Sequence, residues 1–503
     1  MKVLPLQQLQ QEVERLRKQG KRITLCHGVF DLLHIGHIRY LRQASKFGDV
    51  LVVTVTPDRF VDKGPTRPAF PEELRAEGIA ALDCVDFVAI NQWPTAEETL
   101  RLIRPDFYVK GSEFRQLASD MTGKIGREAE VVREVGAELV FTDDIVFSSS
   151  NLINRYLSVF PKETREYLDI FRGRYTLDGI MAFLDRMESL RVLVIGDAIL
   201  DEYQYCNPLG ISSKDPALAL HYQHKDLFAG GVMAVANHVG SFAGQVDLVT
   251  VLGSRQRHEK FIRSQLVESI SPHFFNKTNS PTTTKRRFLD GYSLTKLFEV
   301  YEMDDSGLSQ TEDQRLCDWL LEHLPRYDLV LAADFGHGAI SEQVVEILVK
   351  HAPFLCVNTQ ANAGNRGFHT IRRYPRADFV CLAGHEVQLA VGKKKANMKI
   401  AIGELAKRLG CRKFVITMGR RGCLVWESGN VVQIPAFAQD VVDRVGAGDT
   451  LFSIASLAAR LDAAPECLGF LGNVVGAEAV RVIGNQKHIE KLGVKKHITA
   501  LLK

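Results

Sequence analysis

A short segment near the N-terminus places two histidines just after an apolar run. It reads Gly28-Val-Phe-Asp-Leu-Leu-His-Ile-Gly-His37. If a helix starts near Leu32, the spacing puts the imidazoles of His34 and His37 on one face of its first turn. A helix start offers unpaired N–H groups and a positive dipole end, the glycines let a polyphosphate come close, and the histidines add donors. The segment therefore predicts a phosphate site that stabilises charge while a nucleoside triphosphate is attacked at phosphorus.

Length and composition narrow the class of protein. A chain of 503 residues is too long for one ordinary core and predicts two or three domains. Its 46% hydrophobic and 24% charged residues are typical of a soluble globular protein. The net charge of only +3 gives no broad surface for a polyanion, so no nucleic-acid partner is expected. No apolar run is long enough to span a bilayer, so no membrane partner is expected either.

The cysteines and the first residues indicate the compartment. Nine cysteines are scattered along the chain, and none are paired in the Cys-x-x-Cys spacing of a zinc site or in a disulfide framework. The first residues, Met1-Lys-Val-Leu-Pro-Leu-Gln-Gln, lack the apolar core of a signal peptide. We therefore expect a cytoplasmic protein in a reducing environment.

Apolar runs alternate with helical stretches in both halves of the chain, which predicts an α/β fold with parallel sheets covered by helices. The strands predicted first are Arg22–Cys26, Val50–Thr56, Asp86–Ile90, Phe107–Val109 and Glu138–Thr142. Those predicted later are Arg191–Asp197, Val246–Leu252, Asp328–Ala332, Leu355–Asn358, Phe379–Leu382 and Phe414–Thr417. A charged stretch at 159–175 without a strand is interpreted as a partly helical linker between domains 1–158 and 176–503. The stretch near Thr295–Glu302 has the alternating pattern of a β-strand, and we expect it to form a lid or a dimer surface.

The pattern Gly-x-Phe-Asp-x-x-His-x-Gly-His that opens at Gly28 resembles the signature of the cytidylyltransferase-like nucleotidyltransferases. Three more segments resemble the sugar-phosphate branch of that family: Arg67-Pro-Ala-Phe-Pro-Glu-Glu-Leu-Arg75, Ala80-Ala-Leu-Asp-Cys-Val-Asp-Phe87 and Asp106-Phe-Tyr-Val-Lys-Gly-Ser112. A serine cluster in Phe147-Ser-Ser-Ser-Asn-Leu-Ile153 is similar to its second phosphate motif. The resemblance covers residues 20–158 and implies a Rossmann-like nucleotidyltransferase domain.

This resemblance implies in-line attack by a sugar 1-phosphate on the α-phosphorus of a nucleotide, with pyrophosphate leaving and Mg²⁺ assisting. It implies that His34 and His37 are catalytic and contact phosphate oxygens. The other nucleotide- and phosphate-binding residues expected in this domain are Gly28, Phe30, Asp31, Lys63, Lys110, Ser148, Ser149 and Ser150. Two roles stay open. Lys63 either faces phosphate or is a solvated loop charge, and Asp31 either orients the turn or helps to hold the metal.

A second motif, Asp443-Arg-Val-Gly-Ala-Gly-Asp-Thr450, resembles the signature of the ribokinase-like carbohydrate kinases. Gly446, Ala447 and Gly448 expose backbone N–H groups at a helix start, which forms an anion hole for a transferring phosphoryl group. Asp449 beside this hole can accept the proton of an attacking sugar hydroxyl and is the expected catalytic residue. The resemblance implies a C-terminal ribokinase-like α/β domain with a small β lid, using ATP as substrate.

Further segments within 190–485 support the kinase resemblance. They are Gly196-Asp-Ala-Ile-Leu-Asp201, Ala229-Gly-Gly231, Pro281-Thr-Thr-Thr-Lys-Arg286 and Val415-Ile-Thr-Met-Gly-Arg-Arg-Gly422. The sugar-binding residues expected from them are Asp197, Asp201, Gly230, Gly231 and Asn237, and the nucleotide-binding ones are Thr417 and Gly419. Both halves together resemble the bifunctional heptose-phosphate kinase/heptose-1-phosphate adenylyltransferases of lipopolysaccharide synthesis, with the order of the two domains reversed.

The chain departs from the kinase pattern at three positions. Ala234 stands where the family has a sugar-contacting Asn, although Asn237 lies one turn on. Ala383 replaces the Asn of an Asn-x-x-Glu motif, whose Glu386 is kept and is an indirect metal residue. His337 stands where a lysine is common. These changes fit a different sugar, a weakened kinase or a domain kept for binding or dimerisation, while the retained Asp449 favours an active kinase.

Two functions follow, with a third as a weaker alternative. The first is a bifunctional enzyme that phosphorylates a sugar phosphate of the heptose 7-phosphate type and joins the sugar 1-phosphate to a nucleotide. ATP is favoured by the resemblance, and CTP stays open because the motif does not select the base. The second is a monofunctional nucleotidyltransferase with a non-catalytic, sugar-binding or dimerising kinase-like domain. The third replaces the heptose by a polyol or another sugar. The expected partners are small sugar phosphates and nucleoside triphosphates, and the resemblance implies a homodimer.

Overall fold

The computed structural model describes residues 2–61, 67–112, 124–143 and 160–502. The chain forms two compact units, one of Met1–Pro161 with Lys495–Lys503 and one of Lys162–Val494. In the described ranges, no helix combines the length and the hydropathy that a membrane crossing needs.

The first unit is built from alternating helices and strands. Its helices are α1 (Leu6–Lys18), α2 (Ile35–Ala44), α3 (Glu72–Ala80), α4 (Glu97–Ile103) and α5 (Lys124–Glu134). Its strands are β1 (Ile23–Gly28), β2 (Val50–Val55), β3 (Phe87–Ile90), β4 (Phe107–Lys110) and β5 (Glu138–Phe141). The strands form one parallel sheet in the order β3-β2-β1-β4-β5, which confirms the predicted Rossmann-like architecture.

Both faces of this sheet are buried, and the order of its strands determines where a ligand can bind. Leu25 and Cys26 are both fully buried but belong to core clusters on opposite faces, because neighbouring strand residues point to opposite sides. Helices therefore cover both faces, as a parallel sheet requires. The chain leaves β1 for β2 on one side and later adds β4 on the other. Ligands bind in such sheets at this reversal, outside the carboxyl ends of the strands, where β1 leads into α2.

The second unit is larger. Its helices are α6 (Lys162–Arg174), α7 (Leu177–Arg186), α8 (Val232–Gly240), α9 (Glu259–Gln265), α10 (Gln310–His323), α11 (Glu342–His351), α12 (Gly384–Val391), α13 (Met398–Leu409), α14 (Ala447–Arg460) and α15 (Pro465–Ala479). The last helix, α16 (Lys491–Leu502), begins in this unit, and its residues from Lys495 onward belong to the first unit. Its strands are β6 (Arg191–Ile211), β7 (Leu218–Gly231), β8 (Gln245–Arg255), β9 (Ile270–Pro281), β10 (Thr284–Asp290), β11 (Lys296–Glu302), β12 (Leu329–Asp334), β13 (Leu355–Thr359), β14 (Phe379–Ala383), β15 (Lys413–Thr417), β16 (Cys423–Glu427) and β17 (Asn430–Ile434).

The long strand β6 joins a central sheet to a lid. Residues Arg191–Asp197 pair in parallel with β8, and most of the same segment pairs with β12 on the other side. From Ala198 onward β6 pairs with β7, and from Leu200 also with β10, which in turn pairs with β11. The stretch near Thr295–Glu302 is therefore an outer strand of a small β lid, as predicted.

The stretch at 159–175, expected to be a partly helical linker, is helical over most of its length but belongs to the second unit rather than linking the two domains. Residues Lys162–Arg174 form α6. The ring of Phe171 is buried and stacks on Phe470 in α15 at a centroid distance of 4.2 Å. The charges of this stretch lie on the opposite, exposed face, which is why the sequence resembles a solvated connector.

Candidate active sites

Helix α2 begins three residues later than the sequence predicts, because His34 caps it. His34 has extended backbone angles, and its Nδ1 accepts the backbone N–H of Gly36 at 3.1 Å. An imidazole is not among the usual capping groups, so the sequence carries no strong signal for this start. The cap satisfies one of the N–H groups at the helix start and leaves the dipole end directed at the loop after β1.

The two histidines of the motif lie side by side. The rings of His34 and His37 stack with centroids 4.0 Å apart, which confirms that they share one face of the helix start. Phe30 approaches His37 edge-on at 5.4 Å and has a left-handed φ of 49°. A Cβ on Gly28 would lie 3.2 Å from the Phe30 ring, so glycine lets that ring pack over the strand end. The motif residues thus build one compact wall.

The protonation of His34 follows from its cap. Because Nδ1 accepts a hydrogen bond, the proton of the neutral ring is on Nε2. Burial lowers the pKa of His34, which favours this neutral form. The neutral His34 ring therefore carries its proton on Nε2, and an Nε2–H is a donor of the kind that phosphate oxygens accept from.

Asp31 is a structural clamp in this arrangement. Its carboxylate is buried and accepts from Arg67 Nη1 at 2.8 Å and from the backbone N–H of Ala69 at 2.5 Å. Both oxygens are therefore engaged by the segment before α3. This geometry fits the alternative in which Asp31 orients the turn rather than holding a metal.

Lys110 does not stand as an open phosphate ligand. Its ammonium pairs with Glu128 at 2.8 Å, and Tyr108 donates to the same carboxylate at 3.0 Å. Burial opposes ionisation of Glu128, but the charge of Lys110 outweighs it and keeps the carboxyl pKa lowered. The predicted phosphate contact would have to compete with this buried pair. Lys63 and the serines 148–150 lie outside the described residues.

Arg75 in α3 is a positioning residue that the sequence reasoning did not single out. Its buried guanidinium donates to the carbonyl oxygen of Val29 in the motif loop, to the Thr56 carbonyl at 2.8 Å and to Asp58 at 2.5 Å. The loop after β1 and the loop after β2 are thereby tied together. The signal was present in the Arg67–Arg75 segment, but the partners are set by tertiary packing.

The second site begins at the glycine turn before α14. Gly446 is the N-cap with a left-handed φ of 82°, and no side chain caps the helix. A Cβ on Gly446 would lie 2.5 Å from Asn485 Oδ1, whereas a Cβ on Gly448 would meet no described atom within 4 Å. The helix start thus has no side-chain cap among the described residues and has open space beside Gly448, which are the conditions that an anion hole requires.

Asp443 holds this turn in place. Its carboxylate accepts from Tyr203 at 2.7 Å, from Lys296 on the lid strand β11 at 2.7 Å and from the backbone N–H of Gly484 at 3.0 Å. The first aspartate of the motif is thus a scaffold that joins the turn, the lid and the C-terminal segment. The second, Asp449, has a different environment.

Asp449 lies half-buried in the first turn of α14. Burial and the negative charges of Asp201 and Glu386 raise its pKa to about 7, against a partial offset by Lys285. A carboxyl near neutrality is suited to accept a proton at physiological pH. The same interactions show that Asp201, Glu386 and Lys285 lie in one neighbourhood with Asp449.

Two predicted sugar-binding carboxylates are engaged by the protein. Asp197 accepts backbone N–H groups from Phe335 at 3.0 Å and Ala339 at 2.9 Å, and burial raises its pKa. Asp201 pairs with Arg287 and accepts from Asn485 at 3.0 Å.

The predicted glycine pair lies against these carboxylates. A Cβ on Gly230 would overlap the Asp201 carboxylate, and one on Gly231 would lie 2.6 Å from the Asp197 carbonyl. The glycine pair therefore leaves room for the Asp201 carboxylate and for the Asp197 backbone.

The expectation that Asn237 replaces the missing sugar ligand has no support in the geometry. Its amide donates to the Gln265 carbonyl at 3.0 Å and accepts the backbone N–H of Val267 at 3.0 Å. Both ends of the side chain are thus used to fix the loop before β9. Asn237 lies one turn beyond Ala234, but its contacts are those of a structural residue.

The residues expected to bind the nucleotide lie at and after the carboxyl ends of β14 and β15. Thr417 ends β15, and Gly419 follows it with a left-handed φ of 59°. Glu386 in α12 accepts the backbone N–H groups of Ala383 at 2.7 Å and Ala361 at 3.0 Å, and burial raises its pKa.

The residues present fit a Mg²⁺ that arrives with the nucleotide. Over the described ranges, no three His, Cys, Asp or Glu side chains are grouped to hold a metal ion. Mg²⁺ is commonly bound through phosphates and waters with one or two carboxylates. Glu386 and Asp449, whose charges interact, are the carboxylates that would face it.

Three residues of this site were missed at the level of sequence. Lys285 on β10 is a buried lysine whose pKa is lowered by burial, Arg287 neutralises Asp201, and Asn485 reaches both Asp201 and the Gly446 turn. The segment Pro281–Arg286 that supports the kinase resemblance includes Lys285 but assigns it no role, and it ends before Arg287. Nothing local marked Asn485, because its role depends on the fold.

Comparison with known proteins gives the class of each unit. Residues 189–492, more than half of the chain, match the pfkB family carbohydrate kinases, and residues 25–155 match the cytidylyltransferase-like family. The chain therefore belongs to the pfkB carbohydrate kinase family and carries a nucleotidyltransferase-like domain before the kinase domain. This confirms the predicted pairing of a Rossmann-like and a ribokinase-like fold.

Individual relatives add detail. The bifunctional protein HldE of Desulfatibacillum aliphaticivorans is 40% identical over 154 residues, 30% of this chain and 30% of that protein. HldE of Geobacter sulfurreducens is 38% identical over 152 residues, 29% of each chain. The alignments thus span less than a third of these relatives. Phosphofructokinase-2 of Escherichia coli in complex with potassium matches 63% of this chain and 100% of its own, with 16% identity and a TM-score of 0.51, which shows the fold alone.

Proposed function

We propose that the chain is a bifunctional enzyme of nucleotide-sugar synthesis. Its kinase unit transfers the γ-phosphoryl group of ATP to the anomeric hydroxyl of a sugar phosphate of the heptose 7-phosphate type. A separate phosphatase removes the other phosphate. The N-terminal unit then joins the sugar 1-phosphate to a nucleotide. The observation that carries the proposal is Asp449, a carboxyl with a pKa of about 7 beside an uncapped helix start.

The kinase step follows from the first turn of α14. Asp449, as the carboxylate, takes the proton of the attacking hydroxyl while the oxygen forms a bond to the γ-phosphorus. The bond from that phosphorus to the bridging oxygen breaks, and ADP leaves. The N–H groups of Ala447 and Gly448 stabilise the charge on the transferring group. Mg²⁺ on the nucleotide would neutralise phosphate charge, with Glu386 facing it.

The nucleotidyl transfer step needs no base. The attacking phosphate oxygen is already ionised, so it forms the bond to the α-phosphorus as pyrophosphate leaves. The Nε2–H of His34, the neighbouring ring of His37 and the start of α2 supply donors to the phosphate oxygens. Phe30 and Gly28 shape this wall, and Asp31 and Arg75 hold its loop. Mg²⁺ belongs to the proposal here as well.

The finer assignments rest on the resemblance. ATP as nucleotide, an ADP-heptose-like product, a homodimer and a cytoplasmic location belong to the proposal on that ground. The HldE relatives align over less than a third of their length, so they support the N-terminal activity more than the choice of sugar. The reversed domain order relative to the bifunctional enzymes is likewise part of the proposal.

A monofunctional nucleotidyltransferase is the second candidate. Ala234 and Ala383 remove two polar groups of the kinase pattern, and Asp201 is already paired with Arg287 and Asn485. These observations favour a kinase-like unit that binds a sugar without turning it over. The retained Asp449 and its raised pKa favour the bifunctional enzyme.

Product analysis separates the two. The full chain is incubated with Mg²⁺, mixed ATP and CTP and a panel of sugar phosphates, some phosphorylated at the anomeric position and some not. Mass spectrometry then identifies sugar bisphosphates and nucleotide sugars. We expect both products. Nucleotide sugars without any sugar bisphosphate would support the monofunctional enzyme, and neither product would contradict both proposals.

A further inference from the structure

A buried histidine on α8, His238, joins three segments of the proposed kinase site. It is 4% exposed, and both ring nitrogens have partners on other parts of the chain. Nε2 lies 3.0 Å from Oγ1 of Thr450 in the first turn of α14, and Nδ1 accepts the backbone N–H of Ile489 at 3.1 Å. Helix α8 itself begins directly after the glycine pair 230–231. One side chain thus connects α8, the helix start that carries Asp449 and the C-terminal segment of this unit.

The hydrogen bonds of His238 run in one direction. Because a backbone N–H can only donate, Nδ1 of the ring is the acceptor, and the proton of the neutral ring lies on Nε2. Nε2–H therefore donates to Thr450 Oγ1, whose own hydroxyl donates to the carbonyl oxygen of Gly446 at 2.9 Å. Gly446 is the N-cap of α14. The hydrogen bonds thus lead from Ile489 through the imidazole and the hydroxyl to the cap of the helix.

The ring of His238 is neutral, so it acts through geometry rather than through charge. Burial, together with the nearby charge of His488, lowers the pKa of His238 to about 3. A buried polar group whose partners are all in place fixes the orientation of the segments that it joins. An apolar side chain would fill the same space but would make no directional contact with Thr450.

Thr450 links these hydrogen bonds to the groups proposed to act in phosphoryl transfer. It follows Asp449 directly, and its backbone N–H also donates to the Gly446 carbonyl at 2.9 Å. The N–H groups of Ala447 and Gly448 belong to the same turn. Because the residues of one helical turn move together, a displacement of Thr450 also displaces the carboxylate and the anion hole. A misplacement of about 1 Å can lower a rate about 10²-fold.

The other ring nitrogen of His238 holds the segment that reaches the same glycine turn. Ile489 lies four residues after Asn485, whose amide donates to Asp201 at 3.0 Å. The Oδ1 atom of Asn485 lies beside Gly446, where a Cβ on that glycine would meet it at 2.5 Å. The imidazole therefore sets the spacing between this segment and the glycine turn.

We propose that His238 is a positioning residue of the kinase unit, which holds the first turn of α14 through Thr450 and so places Asp449 and the anion hole. The inference rests on the proposed kinase function and goes beyond it, because the glycine motif contains no residue of α8. His238 is not a catalytic residue, since its two ring nitrogens are used within the protein. Its removal should therefore slow phosphoryl transfer more than it weakens substrate binding.

Matched variants separate positioning from general stability. An asparagine amide reaches about as far as Nδ1 of a histidine, and a glutamine amide about as far as Nε2. His238→Asn therefore keeps an acceptor for Ile489 and loses the contact with Thr450, whereas His238→Gln keeps a donor to Thr450. Thr450→Val removes the hydroxyl with little change of shape. Leu348→Ala, which truncates a fully buried residue of α11, is the control for lost stability alone.

Two measurements are made on the full chain for each variant. Initial rates of phosphoryl transfer to sugar phosphates give kcat and KM, and hydrogen exchange followed by mass spectrometry reports on the backbone N–H groups of residues 450–454. We expect kcat to fall about tenfold to 10²-fold in His238→Asn and in Thr450→Val, with KM changed by less than about twofold. Hydrogen exchange should become faster in the same two variants. His238→Gln should keep most of the kcat, and Leu348→Ala should lower the melting temperature without lowering kcat.

The double variant His238→Asn/Thr450→Val tests whether the two residues act through one hydrogen bond. If they do, its kcat should be no lower than that of either single variant, because the effects of coupled residues do not add. Equal losses of kcat in His238→Asn and His238→Gln, or in His238→Asn and Leu348→Ala, would overturn the inference. If His238→Asn does not fold, Thr450→Val decides, and an unchanged kcat in that variant would overturn the inference as well.

The two measurements also separate this inference from the proposed kinase function. Faster hydrogen exchange in His238→Asn and Thr450→Val, in a chain that phosphorylates no sugar phosphate, supports the link from His238 to the helix start and contradicts the kinase. Phosphoryl transfer whose kcat is unchanged in these variants supports the kinase and contradicts the positioning role.

Discussion

Each of the two proposed sites would bind an anion at a helix start, but the two helix starts use different residues. Helix α2 is capped by an imidazole, with His34 extended and bonded to Gly36, and it carries a second histidine in its first turn. Helix α14 starts from a left-handed glycine, has no side-chain cap and carries Asp449 in its first turn. Both present backbone N–H groups to an anion.

The difference follows from the nucleophile that each site would serve. A phosphate oxygen arrives ionised, so donors such as the His34 and His37 rings are sufficient. A sugar hydroxyl must lose its proton, so a base is needed at the same place. Burial acts on both groups toward the neutral form, lowering the pKa of His34 and raising that of Asp449. The first effect preserves a donor, and the second tunes a base.

The largest expected effect is that of Asp449→Asn on the kinase. Loss of the base should lower phosphoryl transfer to a sugar about 10³-fold, within the usual range for general base catalysis. Nucleotidyl transfer, measured as pyrophosphate release, should be unchanged. The exposed Asp440→Asn serves as a matched control. Phosphoryl transfer retained in Asp449→Asn would mean that the two helix starts do not differ in the way argued here.

The corresponding change in the first unit is His37→Ala. We expect nucleotidyl transfer to fall about 10²-fold to 10³-fold, as when one donor to a developing charge is removed, while phosphoryl transfer is kept. His37 is not the cap of α2, so the melting temperature should change little. The exposed His351→Ala is the control. Near-normal pyrophosphate release by the folded variant would remove the assigned role.

The sequence predicts most strands of both units because their apolar runs are long and regular. Strands such as β2 and β15 are buried over nearly all their length, and buried strands give near-continuous apolar runs that periodicity identifies. The glycine turn before α14 and the paired histidines are also local patterns. The structure places a helix start at each of these two motifs, and the functions assigned to them stay predictions.

What the sequence did not predict depends on contacts between distant segments. The start of α2 was placed too early, since His34 is an unusual cap. Asn237 lies one helical turn beyond Ala234, as a replacement ligand would, but its amide donates to the Gln265 carbonyl and fixes a loop. His337 is the third example, since the sequence shows only that a histidine replaces a lysine. That its ring nitrogens are buried without a hydrogen-bond partner among the described residues is a result of tertiary packing.

A pH profile gives the next prediction. Since the pKa of Asp449 is raised from 3.8 to about 7, kcat/KM for phosphoryl transfer should rise about tenfold per unit up to neutrality and level off above it. Stability shows the opposite trend. Between pH 4 and 7 the folded chain binds a proton at Asp449 that the unfolded chain has lost. The contribution of Asp449 to the free energy of unfolding therefore decreases as the pH rises. Asp449→Asn should abolish both dependences, whereas a profile with no limb near neutrality would contradict the assigned pKa.

The smallest effects come from the two glycines at the start of α14, and they test the anion hole directly. Gly446→Ala forces a side chain into a left-handed φ of 82° and against Asn485, so we expect a loss of about 1–2 kcal/mol of unfolding free energy. Gly448→Ala adds a Cβ that meets no described atom within 4 Å, and alanine favours a helix, so stability should be kept or rise slightly. Its phosphoryl transfer should nevertheless fall, because the methyl group enters the space proposed for phosphate. Denaturant titrations and kinase assays of the pair separate the two effects. A fully active Gly448→Ala would place the phosphoryl group away from this turn.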